Sequence, residues 1–187
     1  MTERDLQYRL AKRLGEYFNV DTEVKTNCGD GRVDLILRCK KTDIVMAVEI
    51  KKANRKRGRD IGMLIKQASK YAQATFLNNL KIPVFVYPAI SYDYLICPEE
   101  KKVINGEEYF RDRHSRESIH HTFQGILGVF NVGELRVFTR NSKKYIRFVF
   151  NNKLIWTNQP EWNSKEIMGL HSENYKNLIS RINDNDI

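Results

Sequence analysis

Three residues of the chain, Asp34, Glu49 and Lys51, have side chains suited to metal chemistry. Two carboxylates brought together can bind a hard divalent cation, because oxygen is the ligand that Mg²⁺ and Mn²⁺ prefer. A lysine beside such a cation can orient a water molecule or stabilise charge that develops on a phosphate. The three residues therefore indicate metal-assisted hydrolysis, provided that the fold brings them together.

The length of the turn between two predicted strands decides whether Asp34, Glu49 and Lys51 lie close together. If residues 40–43 form a four-residue loop, the register places Asp34 directly opposite Glu49. Because strand side chains alternate, Lys51 then lies on the same face as both carboxylates. Facing carboxylates with Cβ atoms about 5 Å apart repel each other, and a cation between them removes the repulsion. The alternative is that Asp34 only begins a strand and Glu49 to Lys51 only ends one in solvent.

The hydrophobic pattern predicts the elements that must position these residues. A leucine at every fourth position predicts a helix over residues 2–17, and Thr2 with Asp5 indicates a capping box at its start. Three strands, a second helix and a strand buried on both faces should follow, at Val20 to Thr26, Val33 to Cys39, Ile44 to Lys51, Asp60 to Leu77 and Ile82 to Tyr87. The order α-β-β-β-α-β predicts an α/β fold with a mixed central sheet flanked by helices.

The second half of the chain has a weaker pattern. It predicts a helix over 117–130, followed by strands and a last helix at Leu135 to Thr139, Tyr145 to Phe150, Leu154 to Trp156 and Ser172 to Ile182. Turns at Asn141–Ser142 and Asn151–Asn152 should join these strands as hairpins. The sequence contains no clear linker and no internal repeat. We therefore expect residues 1–88 to form the core and residues 89–187 to elaborate the same domain.

The residues of the central hairpin resemble the PD-(D/E)XK nuclease superfamily. Asp34 stands in the place of the motif's aspartate, and Glu49-Ile50-Lys51 matches its E-x-K element. The resemblance covers about residues 2–88 and implies a restriction-endonuclease-like fold. It departs from the pattern at Val33, where the motif has a proline. It further implies that Asp34, Glu49 and the Ile50 carbonyl bind Mg²⁺, for which Mn²⁺ should substitute, while Lys51 assists the attacking water.

Two helices carry further candidates. Glu3 lies in the centre of the leucine stripe of the first helix, where many members of the superfamily place a metal-binding glutamate, so we expect it to join the metal ligands. An alternative for Glu3 is a charge favoured by the helix dipole, and Glu23 is the second choice as ligand. Gln67 and Tyr71 resemble the Q-x-x-x-Y element of the RecB-like branch, and both are expected near a phosphate or base.

Positive charge points to a polyanionic partner. The 187 residues contain 32 Lys and Arg against 23 Asp and Glu, a formal net charge of +9. Six of these cations lie within residues 51–59, at Lys51, Lys52, Arg55, Lys56, Arg57 and Arg59. A nucleic-acid backbone that passes over the metal would meet this segment, so we expect its cations to contact DNA phosphates.

The three cysteines, Cys28, Cys39 and Cys97, form no C-x-x-C pair. Their number excludes the four-cysteine iron–sulfur cluster that some RecB-like nucleases hold, and their pattern fits a reducing cytosol. No stretch approaches the roughly 20 apolar residues of a membrane span. We therefore expect a soluble cytoplasmic protein with no membrane partner.

Taken together, these features predict a Mg²⁺-dependent deoxyribonuclease, expected to act as an endonuclease of the junction-resolvase, viral or phage type. A catalytically silent nucleic-acid-binding module on the same fold is the main alternative. A structural protein with an incidental acidic pair is a weaker one. A homodimer would suit an enzyme that cuts two strands, and the sequence leaves that arrangement open.

Overall fold

A computed structural model describes residues 2–27, 31–51, 58–76, 79–87, 101–104, 107–110, 125–140, 143–158 and 169–184. Its three longer helices are α1 (Glu3–Leu14), α2 (Gly58–Ala72) and α3 (Ser172–Asp184). Its strands are β1 (Phe18–Lys25), β2 (Arg32–Cys39), β3 (Val45–Ile50), β4 (Val84–Tyr87), β5 (Lys101–Ile104), β6 (Glu107–Phe110), β7 (Val132–Arg140), β8 (Lys143–Phe150), β9 (Lys153–Thr157) and β10 (Gly169–Leu170).

The first half has the predicted order α-β-β-β-α-β. The predicted capping box is also present, since Thr2 Oγ1 accepts a bond of 3.1 Å from the Asp5 amide and Asp5 Oδ2 accepts one of 2.7 Å from the Thr2 amide. Helix α1 ends at Leu14, earlier than the predicted residue 17. Phe18 belongs instead to β1, where it pairs with Cys39 and is buried in the core. Burial of the Phe18 side chain in the core is thus the reason that α1 ends earlier than the periodicity of its leucines indicated.

One mixed sheet connects the two halves of the chain. Its eight described strands lie in the order β1-β2-β3-β4-β7-β8-β9-β10. Strands β3, β4 and β7 run parallel, and the other neighbours are antiparallel. Strands β5 and β6 pair with each other in a separate hairpin. Because β7 extends the sheet directly from β4, the second half adds strands to the sheet that the first half begins.

The sheet separates two hydrophobic cores. Leu10 and Leu14 of α1 and Leu178 of α3 pack on one face, which includes Leu35 and Val48. Leu64, Ala68 and Tyr71 of α2 pack on the opposite face with Ile36, Ala47, Val84 and Val86. The alternation of neighbouring strand residues between these cores is the reason that α2 and α1 cover different faces.

The predicted strands of the second half are present with longer bounds. Asn151 and Asn152 connect β8 to β9 with φ values of 45° and 61°, the left-handed conformation that tight hairpins require. The hairpin of β5 and β6 and the short β10 were not predicted, because two- and four-residue strands leave little periodicity. The helix predicted over 117–130 is described only as a helical turn at 125–129. Its remainder and the turn at Asn141–Ser142 lie outside the described residues.

Gly133 on β7 has a position that a side chain would disrupt. A Cβ there would lie 2.4 Å from the buried Phe85 ring and 2.8 Å from the Val149 carbonyl. We expect Gly133→Ala to lower the free energy of unfolding by about 1–3 kcal/mol, because the core is overpacked. Gly62→Ala is the matched control, since no atom lies within 4 Å of its added Cβ and alanine favours the helix by about 0.5–1 kcal/mol. Urea unfolding measures both, and equal stabilities for the two variants would contradict this packing.

Candidate functional site

Asp34 and Glu49 meet where strands β2 and β3 stop pairing. The regular register ends with Leu35 opposite Val48, and its continuation brings Asp34 beside Glu49 as predicted. The backbone amide of Ile50 donates to Asp34 Oδ2 over 2.6 Å. The Asp34 carboxylate therefore accepts a bond from the backbone of β3, which holds it against the end of that strand.

Both carboxyl groups are largely withdrawn from water. Burial, together with the charge of the neighbouring Asp34 and a side-chain hydrogen bond to it, raises the pKa of Glu49 to about 8. Burial likewise raises the pKa of Asp34 to about 6, against the lowering effects of the Ile50 amide and the Lys51 charge. Without a cation, the pair therefore retains a proton at a pH where isolated carboxyl groups are ionised.

Within the part of the chain that the structure describes, one buried oxygen of Glu49 and one of Gln67 have no hydrogen-bond donor. Glu49, whose residue exposure is only 2%, has its Oε2 atom buried without a partner, and Gln67 Oε1 on α2 is buried without one too. An unsatisfied buried acceptor costs about 1–3 kcal/mol. Gln67 lies one helical turn before Tyr71, and the negative charges of Glu49 and Asp34 raise the pKa of Tyr71 after the larger effect of burial. The acceptors are of the oxygen type that a hard cation takes.

Lys51 follows on the same strand and pairs with α1. Its Nζ lies 3.2 Å from Glu3 Oε1, and its backbone amide donates to the Tyr87 carbonyl over 2.9 Å. The Glu3 carboxylate was predicted as a metal ligand. It is 44% exposed and contacts Lys51, so in this arrangement it neutralises and orients the ammonium group. Its charge still raises the pKa of both Asp34 and Glu49, which places it near them.

Gln7 is a site residue that the sequence predictions missed. Its Nε2 donates to the Asp34 carbonyl and to Glu23 Oε1, over 3.0 Å in each case. It connects α1 to the strand that carries Asp34, and it brings in Glu23, whose charge raises the pKa of Asp34. The position of Gln7 in the sequence, one turn after Glu3 on the same face of α1, could have indicated this role.

Tyr71 lies in the core that α2 forms with the sheet. It was expected to contact nucleic acid, but the residue is only 6% exposed, and a Cβ added at Gly31 would lie 2.9 Å from its ring. The ring packs under the chain that leads into β2 and is not free to stack on a base. Gly31 is required at that place because the aromatic ring fills the space of a side chain.

Most of the basic segment cannot be compared with the structure. Lys52, Arg55, Lys56 and Arg57 lie outside the described residues, as does the side chain of Arg59 at the start of α2. Cys28 and Cys97 lie outside them too, and Cys39 is a free thiol.

Within the described residues, no group of three or more His, Cys, Asp or Glu side chains is arranged around a point that would suit a metal ion. The described helices also include none with the length and apolar character needed to cross a membrane. Comparison with known proteins finds no matching family model, no matching curated protein and no matching solved structure.

The carboxylate pair predicts how stability depends on pH. A folded-state pKa above the ordinary value of a carboxyl group means that stability is present at low pH and is lost as pH rises through about 8. In EDTA we expect the chain to lose stability between about pH 5 and pH 9, and Glu49→Gln to recover on the order of 1–3 kcal/mol at the higher pH. Glu16→Gln, which changes an exposed carboxylate, serves as control. If the difference in stability between the parent and Glu49→Gln is the same at both pH values, the pair is not a buried pair of repelling carboxyl groups.

Proposed function

We propose that the chain is a Mg²⁺-dependent nuclease that hydrolyses DNA phosphodiester bonds, with a restriction-endonuclease-like fold. The observation that carries the proposal is the buried pair Asp34 and Glu49, held side by side at the end of a strand with Lys51 on the same strand end. The order of α1, β1, β2, β3, α2 and β4 agrees with the order that the superfamily resemblance implies.

The donor set fits a hard cation. Mg²⁺ keeps several waters and typically takes only one or two protein carboxylates, so a pair of acids without a third side chain is a sufficient site. Asp34, Glu49 and the Ile50 carbonyl would hold the ion, and the unpartnered Glu49 Oε2 is an oxygen ready to bind it. A bound cation would also remove the repulsion that keeps the pair protonated. Mn²⁺ is expected to replace Mg²⁺ at the same oxygens.

The residues around the pair have separate tasks in hydrolysis. A bound Mg²⁺ would supply a Lewis acid for the phosphate oxygen and lower the pKa of a coordinated water. Lys51 would orient the attacking water and stabilise negative charge that grows on the phosphate, since its ammonium lies at the end of the same strand. Glu3 would hold that ammonium in place through the 3.2 Å ion pair. Gln67 would offer its buried amide oxygen to the same region.

Cleavage of supercoiled plasmid tests the proposal. We expect nicking with Mg²⁺ or Mn²⁺ and none with EDTA, and we expect Asp34→Asn and Lys51→Ala each to reduce the rate by about 100-fold or more. Lys41→Ala is the matched control, because Lys41 is exposed in the turn at the other end of the β2–β3 hairpin. Agarose gels of time courses measure the rates.

The main alternative is a silent nucleic-acid-binding module on the same fold. Tight DNA binding without metal-dependent cleavage of supercoiled, branched or single-stranded DNA would favour that alternative and overturn the enzyme. A parental rate for Asp34→Asn would instead show that the site is assigned to the wrong residues.

Metal binding has a readout that does not require turnover. Mn²⁺ would bind the folded state and not the unfolded state. At a metal concentration one hundred times the dissociation constant, it should therefore raise the free energy of unfolding by about 2–3 kcal/mol. Asp34→Asn and Glu49→Gln should each lose most of that gain, and Glu16→Gln should retain it. Thermal unfolding with and without Mn²⁺ measures the difference. An equal gain in all variants would place the metal elsewhere.

A further inference from the structure

A second acid and cation stand two strands from the candidate site, on β7. Glu49 on β3 is paired with Val86 on β4, and Val86 is paired with Glu134 on β7. Laterally paired residues share a face of the sheet, and Val86 packs in the core beneath α2. Glu134 therefore lies on the same face as Glu49 and at the same level, about 10 Å away across two strand spacings.

Each acid is followed, two positions later, by a cation. Lys51 follows Glu49, and Arg136 follows Glu134. Because β3, β4 and β7 run parallel, both cations lie further toward the carboxyl ends of their strands. Arg147 on β8 is directly opposite Arg136 in the β7–β8 register. Positive side chains therefore follow the carboxylate pair across the same end of the sheet, at Lys51, Arg136 and Arg147.

Arg136 is held rigidly by its neighbour. Its Nη2 lies 3.1 Å from Glu134 Oε2, and Glu134 is only 2% exposed. The Arg136 side chain is 16% exposed, so it is partly accessible to solvent beside its buried partner. Among the described residues, its Nε is buried and has no hydrogen-bond partner. A guanidinium has five N–H donors in a fixed fork, and one bonded edge leaves other donors for an anion.

Two guanidinium groups on directly opposed strand positions repel each other in the absence of an anion. Glu134 pairs with Arg136 at this position. A phosphate is a suitable ligand, because arginine binds phosphate oxygens through two parallel N–H bonds. The chemistry of the cluster is that of an anchored phosphate contact.

We infer that Arg136, anchored by Glu134, binds a backbone phosphate of the DNA, a few nucleotides from the one that is cut. The inference rests on the proposed function, since it takes DNA as the ligand. The lateral distance of about 10 Å exceeds the rise of about 3.4 Å between phosphates of one strand, so the two sites contact different phosphates. Arg136 would fix the direction in which the strand crosses the sheet, from β3 toward β8.

Salt-dependent binding tests the inference without turnover. A fluorescein-labelled DNA duplex and its single strand are titrated with the Asp34→Asn chain in EDTA at several KCl concentrations. Adding Arg136→Gln should weaken binding about tenfold and reduce the slope of log affinity against log salt by about 0.9 for the duplex. Arg136→Lys should keep the slope and lose part of the affinity, because a lysine retains the charge without the fork. Arg38→Gln, which changes a partly exposed arginine on β2 that pairs with Asp21, should change neither.

Loss of Arg136 alone removes an ion-pair partner from the buried Glu134, which can unfold the chain. The double variant Glu134→Gln with Arg136→Gln removes both charges, and circular dichroism checks that it is folded. A reduced slope in this folded variant supports the phosphate contact. A slope and affinity equal to those of Arg38→Gln overturn it.

Cleavage assays separate this inference from the proposed function. With Arg136→Lys in the active chain, KM should rise several-fold while kcat stays near the parental value, since the contact is away from the reacting phosphate. If the parent cleaves DNA and the Arg136 variants bind it like the control, only the inference fails. If the parent never cleaves but Arg136 sets the salt slope, the nuclease proposal fails and the phosphate site stands.

Discussion

Asp34 and Glu49 place two carboxyl groups side by side in a region from which water is largely excluded. Charged groups in such a place are costly unless a proton or a cation compensates them. The surrounding structure offsets part of this cost, through the Ile50 amide that donates to Asp34 and through the Lys51 charge. It leaves Glu49 Oε2 without a donor. The elements around β3 thus hold a buried carboxyl pair whose charge a proton or a cation can compensate.

The same strands that confine the pair also provide its support. Strands β3, β4 and β7 are parallel and buried on both faces, so their backbones are fixed by helices on either side. Because Gly133 has no side chain, the Phe85 ring can lie over β7, and β4 and β7 can pair. That register sets Glu134 level with Glu49. A rigid sheet therefore determines where charged side chains emerge at its end, and loops need not position them.

Local patterns predicted much of the first half. A four-residue turn and strict alternation were sufficient to align Asp34 with Glu49, because register in a hairpin depends on neighbouring residues. The capping box of Thr2 and Asp5 was also readable, since its bonds span three residues. The end of α1 was placed too late, because burial of Phe18 in the distant core decides where β1 begins. The β5–β6 hairpin was missed because four-residue strands carry little pattern.

What the sequence determined by itself was the composition of the site and its local geometry: Asp34, Glu49 and Lys51 on one hairpin. Only the tertiary structure decided the partners that lie far along the chain. Glu3 contacts Lys51 across 48 positions, and Gln7 contacts Asp34 across 27. Glu134 reaches the level of Glu49 only through parallel pairing with β4. Parallel neighbours are joined by crossovers and not by turns, so no local spacing encodes which side chains they align.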